Sequence, residues 1–187
     1  MKEISLHIMD IVQNSVEAGA TKVSIGVDVD SGRDLLTITV SDNGRGMDSE
    51  MTRRVTDPFV TSRTTRRVGL GLSLLKDTAR QTGGRLEVLS AEGEGTRVIA
   101  TLGLSHIDRP PLGDIASTLA CLIAANKSID IDYHHACDGR EFSVRTEELR
   151  SRLSGVSLAD PLVFCFVREY AEQGISQLCS TTPSLLV

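Results

Sequence analysis

The stretch Asp42-Asn43-Gly44-Arg45-Gly46-Met47 decides how the N-terminal half of the chain is read. A carboxylate closes an alternating apolar run, and glycines follow it at the second and fourth positions. Such a turn lets the backbone pass close to a flat ligand while one acidic side chain accepts a hydrogen bond from it. Taken alone, the same pattern describes an ordinary turn. Its meaning comes from what flanks it: a segment carrying Asp10 and Asn14 upstream, and Gly69-Leu70-Gly71 downstream.

Upstream, residues 3 to 18 read as an amphipathic helix. Ile4, Ile8, Ile11, Val12 and Ser15 share one face, while Glu3, His7, Asp10, Asn14 and Glu17 share the opposite one. A polar stripe of this kind is by default a solvated surface. Asp10 and Asn14, however, stand four apart, so a carboxylate and an amide oxygen project side by side. His7 reads as a structural or solvated histidine; its i,i+3 spacing is the sole support for a role in orienting Asp10. Ala18-Gly19-Ala20 ends the helix in small residues suited to close packing. Residues 21 to 30 and 36 to 40 then alternate around a turn at 31 to 34, an antiparallel hairpin that delivers Asp42 at its end.

Downstream, residues 48 to 55 suggest a short helix, and residues 60 to 68, with Arg63, Arg66 and Arg67, an exposed loop. A second helix over 69 to 83 turns Leu72, Leu75 and Ala79 to the core. Residues 85 to 89 and 96 to 102 form another hairpin around Glu92-Gly93-Glu94-Gly95. Asp108-Arg109-Pro110-Pro111 marks a boundary. Beyond it lie a helix over 114 to 125, strands over 129 to 133 and 141 to 145, helices over 147 to 153 and 160 to 173, and a polar tail after Ser176 that frays.

The 187 residues suffice for one good core, or one core plus a small appendage. A composition 40% apolar and 24% charged describes a soluble globular protein. With no Trp, 3% aromatic residues and a net charge of -5, neither base stacking nor a broad phosphate-binding surface is expected, so nucleic acid is not an expected partner. No run approaches the ~20 apolar residues of a membrane helix, and Asp10 breaks any signal-peptide core. Cys121, Cys137, Cys165 and Cys179 lack CxxC spacing and read as reduced, mostly buried thiols of a cytoplasmic protein. His134-His135-Ala136-Cys137 lacks further identifiable ligands for a metal.

Five stretches, in order, resemble the motifs of the GHKL superfamily of ATP-binding proteins, which includes gyrase-type topoisomerases, heat-shock chaperones, histidine kinases and mismatch-repair ATPases. The segment from Asp10 through Asn14 resembles the N box, Asp42-Asn-Gly44-Arg-Gly46 the first glycine box, and Asp57-Pro-Phe59-Val-Thr-Ser-Arg63 the F box. Val68-Gly69-Leu70-Gly71-Leu is similar to the second glycine box, and Gly93-Glu-Gly95-Thr96 to the last. The N box is most like that of mismatch-repair proteins, and the stretch from Asp57 to Thr96 most like histidine-kinase ATP-binding domains. The resemblance implies a Bergerat-type, two-layer α/β sandwich over residues 1 to 104, with helices on one face of a mixed, mainly antiparallel sheet. A small C-terminal α+β module of unknown role is expected over 105 to 187.

The resemblance also implies Mg-ATP as ligand. Asp42 would accept from the adenine amino group, with Gly44, Gly46, Met47 and Thr96 around the base. Asn14 would offer its amide oxygen to Mg²⁺, and Gly69, Leu70 and Gly71 would hold phosphate at a helix N-terminus with Arg63 nearby. Asp10 falls where hydrolytic members carry their general base, usually Glu; being one methylene shorter, it implies slow hydrolysis. No phosphorylated-histidine hairpin or transducer domain is expected beside these motifs. The expected function is a stand-alone histidine-kinase-like domain acting as a protein kinase or slow ATPase on a separate partner protein. The rival is a non-catalytic, ATP-gated binding module; the oligomeric state is open.

Overall fold

Period-two alternation of β-branched residues builds one sheet and fixes which of its faces is covered. A computed structural model describes residues 3–56, 70–153 and 155–178. Its elements are α1 (Ile4–Glu17), β1 (Lys22–Asp30), β2 (Leu35–Asp42), α2 (Ser49–Arg54), α3 (Leu70–Gln81), β3 (Arg85–Ala91), β4 (Gly95–Gly103), α4 (Ile115–Ala125), β5 (Asp130–Cys137), β6 (Arg140–Arg145), α5 (Thr146–Arg152) and α6 (Pro161–Leu178). Val23, Ile25, Val27 and Val29 of β1, with Leu36, Ile38 and Val40 of β2, are buried beneath the helices. The intervening residues, such as Ser24, Asp28, Thr37 and Thr39, line the other face, which is partly or fully exposed. This is the expected two-layer sandwich: α1, α3, α4 and α6 cover one side of a mixed sheet.

The strand order is β3-β4-β2-β1-β5-β6. Four neighbouring pairs are antiparallel, and β1 with β5 is parallel, Lys22 lying beside Asp130 and Val29 beside Cys137. The boundary expected near residue 105 therefore falls inside one sheet. Residues after it contribute Ile115, Leu119, Ile123, Ile131, Tyr133 and Val167 to the same buried cluster as Ile8, Val27 and Leu75. Two aspartates with positive φ, Asp34 and Asp138, fasten the turns across this junction. Asp34 accepts from the Ser105 N–H and hydroxyl, and Asp138 accepts from the Ser31 N–H and hydroxyl, at 2.8 and 2.9 Å in each case.

Three local expectations are corrected. Strand β5 runs on to Cys137, because Tyr133, His135 and Cys137 continue the buried alternation. Helix α6 runs past the expected end at 173 to Leu178, which is buried; the rest of the expected polar tail lies outside the described residues. Cys137 is buried, but Cys121 and Cys165 are exposed, so the thiols are not mostly interior; Cys179 lies outside the described residues.

His135 and His7 are buried polar groups within this core. The Tyr133 hydroxyl and His135 Nδ1 share a 2.8 Å hydrogen bond, and His135 Nε2 has none. Burial pushes the His135 imidazole down to about 4 and also lowers His7. Both histidines titrate near ~6.5 in the unfolded chain. Below that pH the unfolded state takes up protons that the native state refuses, so stability is full above it and lost as pH falls toward 4. The His135 shift corresponds to a loss of about 2 kcal/mol between pH 7 and pH 5. Urea denaturation at those two pH values should register this loss, and the His135→Gln variant should lose distinctly less; an equal loss in both proteins would assign the effect elsewhere.

Candidate functional site

Asp42 ends β2 on the helix-covered side of the sheet, where its position is fixed from two directions. The Ser15 hydroxyl of α1 donates to Oδ2 at 2.6 Å, and the Gly44 N–H donates to Oδ1 at 2.9 Å. A short O–H to carboxylate bond is among the stronger hydrogen bonds. A carboxylate has room for roughly four donors, so these two orient Asp42 and leave acceptor capacity. The register sets Thr96 of β4 directly opposite Asp42, and Ser90 of β3 opposite Thr96. Ser90 Oγ accepts from the Met47 N–H, donates to the Gly95 carbonyl and lies within hydrogen-bonding distance of Thr96 Oγ1, each at 2.9 Å. Asp42, Thr96, Ser90 and the Met47 backbone thus form one connected row across three strands.

Two glycines allow that row to close. Gly46 has φ +65, and a methyl group on its Cα would sit 1.9 Å from the Ala91 carbonyl oxygen. Gly95 has φ +98, and a methyl there would sit 2.0 Å from the Asp42 carbonyl oxygen. Gly44 packs against Ala18, and the Arg45 N–H donates to the Ala18 carbonyl at 3.0 Å. The small residues that close α1 therefore make room for this turn. Asn43 points away from the row: its Oδ1 accepts from the Thr21 and Lys22 N–H groups, and its Nδ2 donates to the Thr21 hydroxyl.

Helix α1 presents Asp10 and Asn14 one turn apart, Asp10 half-buried and Asn14 exposed. Asp10 lies against the first turn of α3, where a methyl on Gly71 would meet its Oδ2 at 3.1 Å and its Cβ at 3.3 Å. Of the two readings of His7, structural or solvated, the structure shows the structural one. His7 is 1% exposed, beside the Gly71 backbone, and neither ring nitrogen makes a hydrogen bond of normal geometry. Asp10, Gly71 and the Leu70 backbone that opens α3 are therefore together; Asn14 continues along α1 toward Ser15 and Asp42. Arg63, Arg66, Arg67 and Gly69 lie outside the described residues, as does the stretch resembling the F box.

Among the described residues, no group of three or more His, Cys, Asp or Glu side chains forms a metal cluster. In the run from His134 to Cys137, strand alternation turns His134 to the open face beside Glu141 and buries His135 and Cys137, so these side chains do not converge. No helix of the described residues is long and apolar enough to cross a membrane.

Residues 2–106 match the family described as histidine kinase-, DNA gyrase B-, and HSP90-like ATPase. The chain belongs to that family. It is an ATP-binding, histidine-kinase-like domain of the GHKL type. It is 38% identical over 108 residues to the sensor protein kinase FleS of Pseudomonas aeruginosa, a match covering 58% of this chain and 26% of FleS. It is 30% identical over 103 residues to the sensor histidine kinase ZraS of Salmonella typhimurium, covering 54% of this chain and 22% of ZraS. The chain thus spans about a quarter of these relatives' length. The crystal structure of an N-terminal domain of a DNA repair protein has the same fold, with a TM-score of 0.55 at 18% identity, over 77% of this chain and 52% of that one. That likeness covers more of the chain than the family match does.

Within this ATPase fold, sequence reading missed Ser15, Ser90 and Asn43. Ser15 carried a signal, a hydroxyl at a position helical spacing assigns to the apolar face; Ser90 and Asn43 carried none. The backbone approaches predict that Gly46→Ala costs more than ~2 kcal/mol, since strain at positive φ adds to a clash with rigid backbone. Thermal melts should show it, whereas Gly93→Ala, with open space around its Cα, should cost less; similar losses would deny the Gly46 contact its structural weight.

Proposed function

We propose that this chain binds Mg-ATP at the row formed by Asp42 and Thr96, with the phosphates toward Asp10, Asn14 and the start of α3, and transfers phosphate to a separate protein. The observation that carries the reading is the Asp42 carboxylate, oriented by Ser15 and Gly44 with acceptor capacity left for an adenine amino group. Thr96, directly opposite, would share the ordered water of the base. Gly44, Gly46 and Met47 would form the wall beside it. The first turn of α3, with Leu70 and Gly71, would offer unpaired N–H groups to phosphate, and Arg63 would supply positive charge.

The residues fit the metal as well. Mg²⁺ prefers hard oxygen ligands and keeps several waters, so it needs few protein ligands. The Asn14 amide oxygen would be one, on the exposed side of α1. When bound, Mg²⁺ neutralises charge developing on the transferred phosphoryl group. Asp10, packed against Gly71, would take the proton from the attacking group. Its short side chain supports slow hydrolysis, so transfer to a protein in signalling is the favoured outcome. The exposed thiols Cys121 and Cys165 suit the reducing cytoplasm. The same seat of Asp10, close against α3, supports a second reading: an ATP-gated module that reports nucleotide state without chemistry.

Asp42→Asn swaps an acceptor for a donor facing the adenine amino group and should lower ATP affinity by at least tenfold, about 1.4 kcal/mol. Wild-type affinity in calorimetry would remove Asp42 from base recognition. With γ-labelled Mg-ATP, released phosphate and labelled protein are followed separately. Asn14→Ala should weaken Mg-ATP binding itself, while Asp10→Asn should bind normally and lose ~10²–10⁴ in turnover. A wild type that releases no phosphate and labels no protein in its native lysate leaves the ATP-gated module standing.

A further inference from the structure

Strand β6 and helix α6 together present an edge that invites a partner. β6 is last in the strand order, so among the described residues its outer backbone edge has no neighbouring strand. Above it, α6 buries Val163, Val167 and Ala171, yet Leu162, Phe166 and Tyr170, at four-residue spacing, are 81%, 54% and 45% exposed. Phe166 stacks on Tyr170 with ring centroids 5.9 Å apart, and the Tyr170 ring lies 5.2 Å from that of Phe142 in β6. The apolar stripe is therefore on the β6 side of α6. An unpaired strand edge beside apolar surface is a combination that proteins normally cover or blunt.

The sequence of β6 fits a second copy of itself. Laid antiparallel with Ser143 on a two-fold axis, Arg140-Glu141-Phe142-Ser143-Val144-Arg145 sets Glu141 opposite the partner copy's arginine at 145, and the symmetry repeats the pair. Phe142 then faces Val144 of the second copy, also twice. Pairing with β5 puts Glu141, Ser143 and Arg145 on the open face, and Phe142 and Val144 on the helix-covered face. Charge pairs would thus line the solvent side while apolar pairs extend the core. Centring on Phe142 instead sets Arg140 against Val144 and Glu141 against Ser143, and both charge pairs are lost. An odd shift turns the second helix layer to the opposite side of the sheet.

We infer that the chain forms a two-fold dimer through a β6–β6 junction, with the Leu162, Phe166 and Tyr170 stripes of two α6 helices meeting above it. Isologous contacts of this kind satisfy both copies with one patch. Within the chain, Glu141 lies 3.3 Å from His134 and Arg145 lies 3.3 Å from Glu148, all four side chains being 49% or more exposed. Such exposed pairs are weak and exchange readily. β2, β3 and β4, which carry Asp42, Ser90 and Thr96, lie away from this edge.

Sedimentation equilibrium of the full chain should show a concentration-dependent dimer. Glu141→Arg alone and Arg145→Glu alone each oppose like charges twice across the junction and should raise the dissociation constant roughly tenfold or more. The two changes together should restore the dimer. Phe166→Ser should weaken it as well, with circular dichroism and binding of a fluorescent ATP analogue unchanged. A wild type that stays monomeric overturns the inference, including one that takes up an extended peptide or its own tail along β6. So does a dimer indifferent to both reversals and to Phe166→Ser, or a double reversal that stays monomeric with a native dichroism spectrum.

Discussion

The candidate site depends on two backbone approaches that leave no space for a β-carbon. Gly46 lies against the Ala91 carbonyl and Gly95 against the Asp42 carbonyl. Between them they press the turn after β2 onto the tip of the β3–β4 hairpin. Backbone contacts of this kind are set by the chain path and do not relax by a change of rotamer. Asp42, Thr96 and the Met47 N–H therefore hold their mutual positions through main-chain geometry. Ser15 adds a side-chain bond from α1 to that row, and it ties the helix carrying Asp10 and Asn14 to the strand carrying Asp42. Site and scaffold are built from the same contacts.

The electrostatic character of α1 follows from where α3 lies. One side of α1 packs on the sheet through Ile4, Ile8, Ile11 and Val12, and a second contact, with α3, buries His7. A histidine so enclosed is held neutral. Asp10, one turn later, keeps partial exposure at the edge of the same contact. The helix thus passes from apolar, through neutral polar, to acidic and amide groups within one circumference, and the acidic part faces the start of α3.

Much of this was legible in the sequence, and the failures have definite causes. Strands β1 and β2 and helices α1 and α3 follow the apolar periods within a residue or two, because their cores are Val, Ile and Leu. Asp42 and Thr96 were found separately by motif; the register shows them to be neighbours. The sequence left His7 either structural or solvated, since a helical period gives the angle to one packing surface and α3 is a second. The full length of β5 was missed because His134 and His135 interrupt the apolar run after Tyr133, although His135 and Cys137 continue the buried alternation. Its place beside β1 left no local trace at all, because period-two alternation announces a strand without naming its partner. The exposed Cys121 and Cys165 show that burial follows helix orientation, not residue type alone.

The parallel pairing of β1 with β5 joins segments more than a hundred residues apart. Contacts so distant in sequence carry a high loop-closure cost and form late. During synthesis, which runs from the N-terminus at about 5–20 residues per second, the hairpins holding Asp42 and Thr96 would leave the ribosome well before the strand that shields Val23 and Ile25 on their far side. For those seconds the nascent sheet would present an apolar, half-finished flank. The nucleotide-facing half can therefore be assembled before the protein is safe from aggregation, and the interval between the two is one in which a chaperone, or the nucleotide itself, would have the most to contribute.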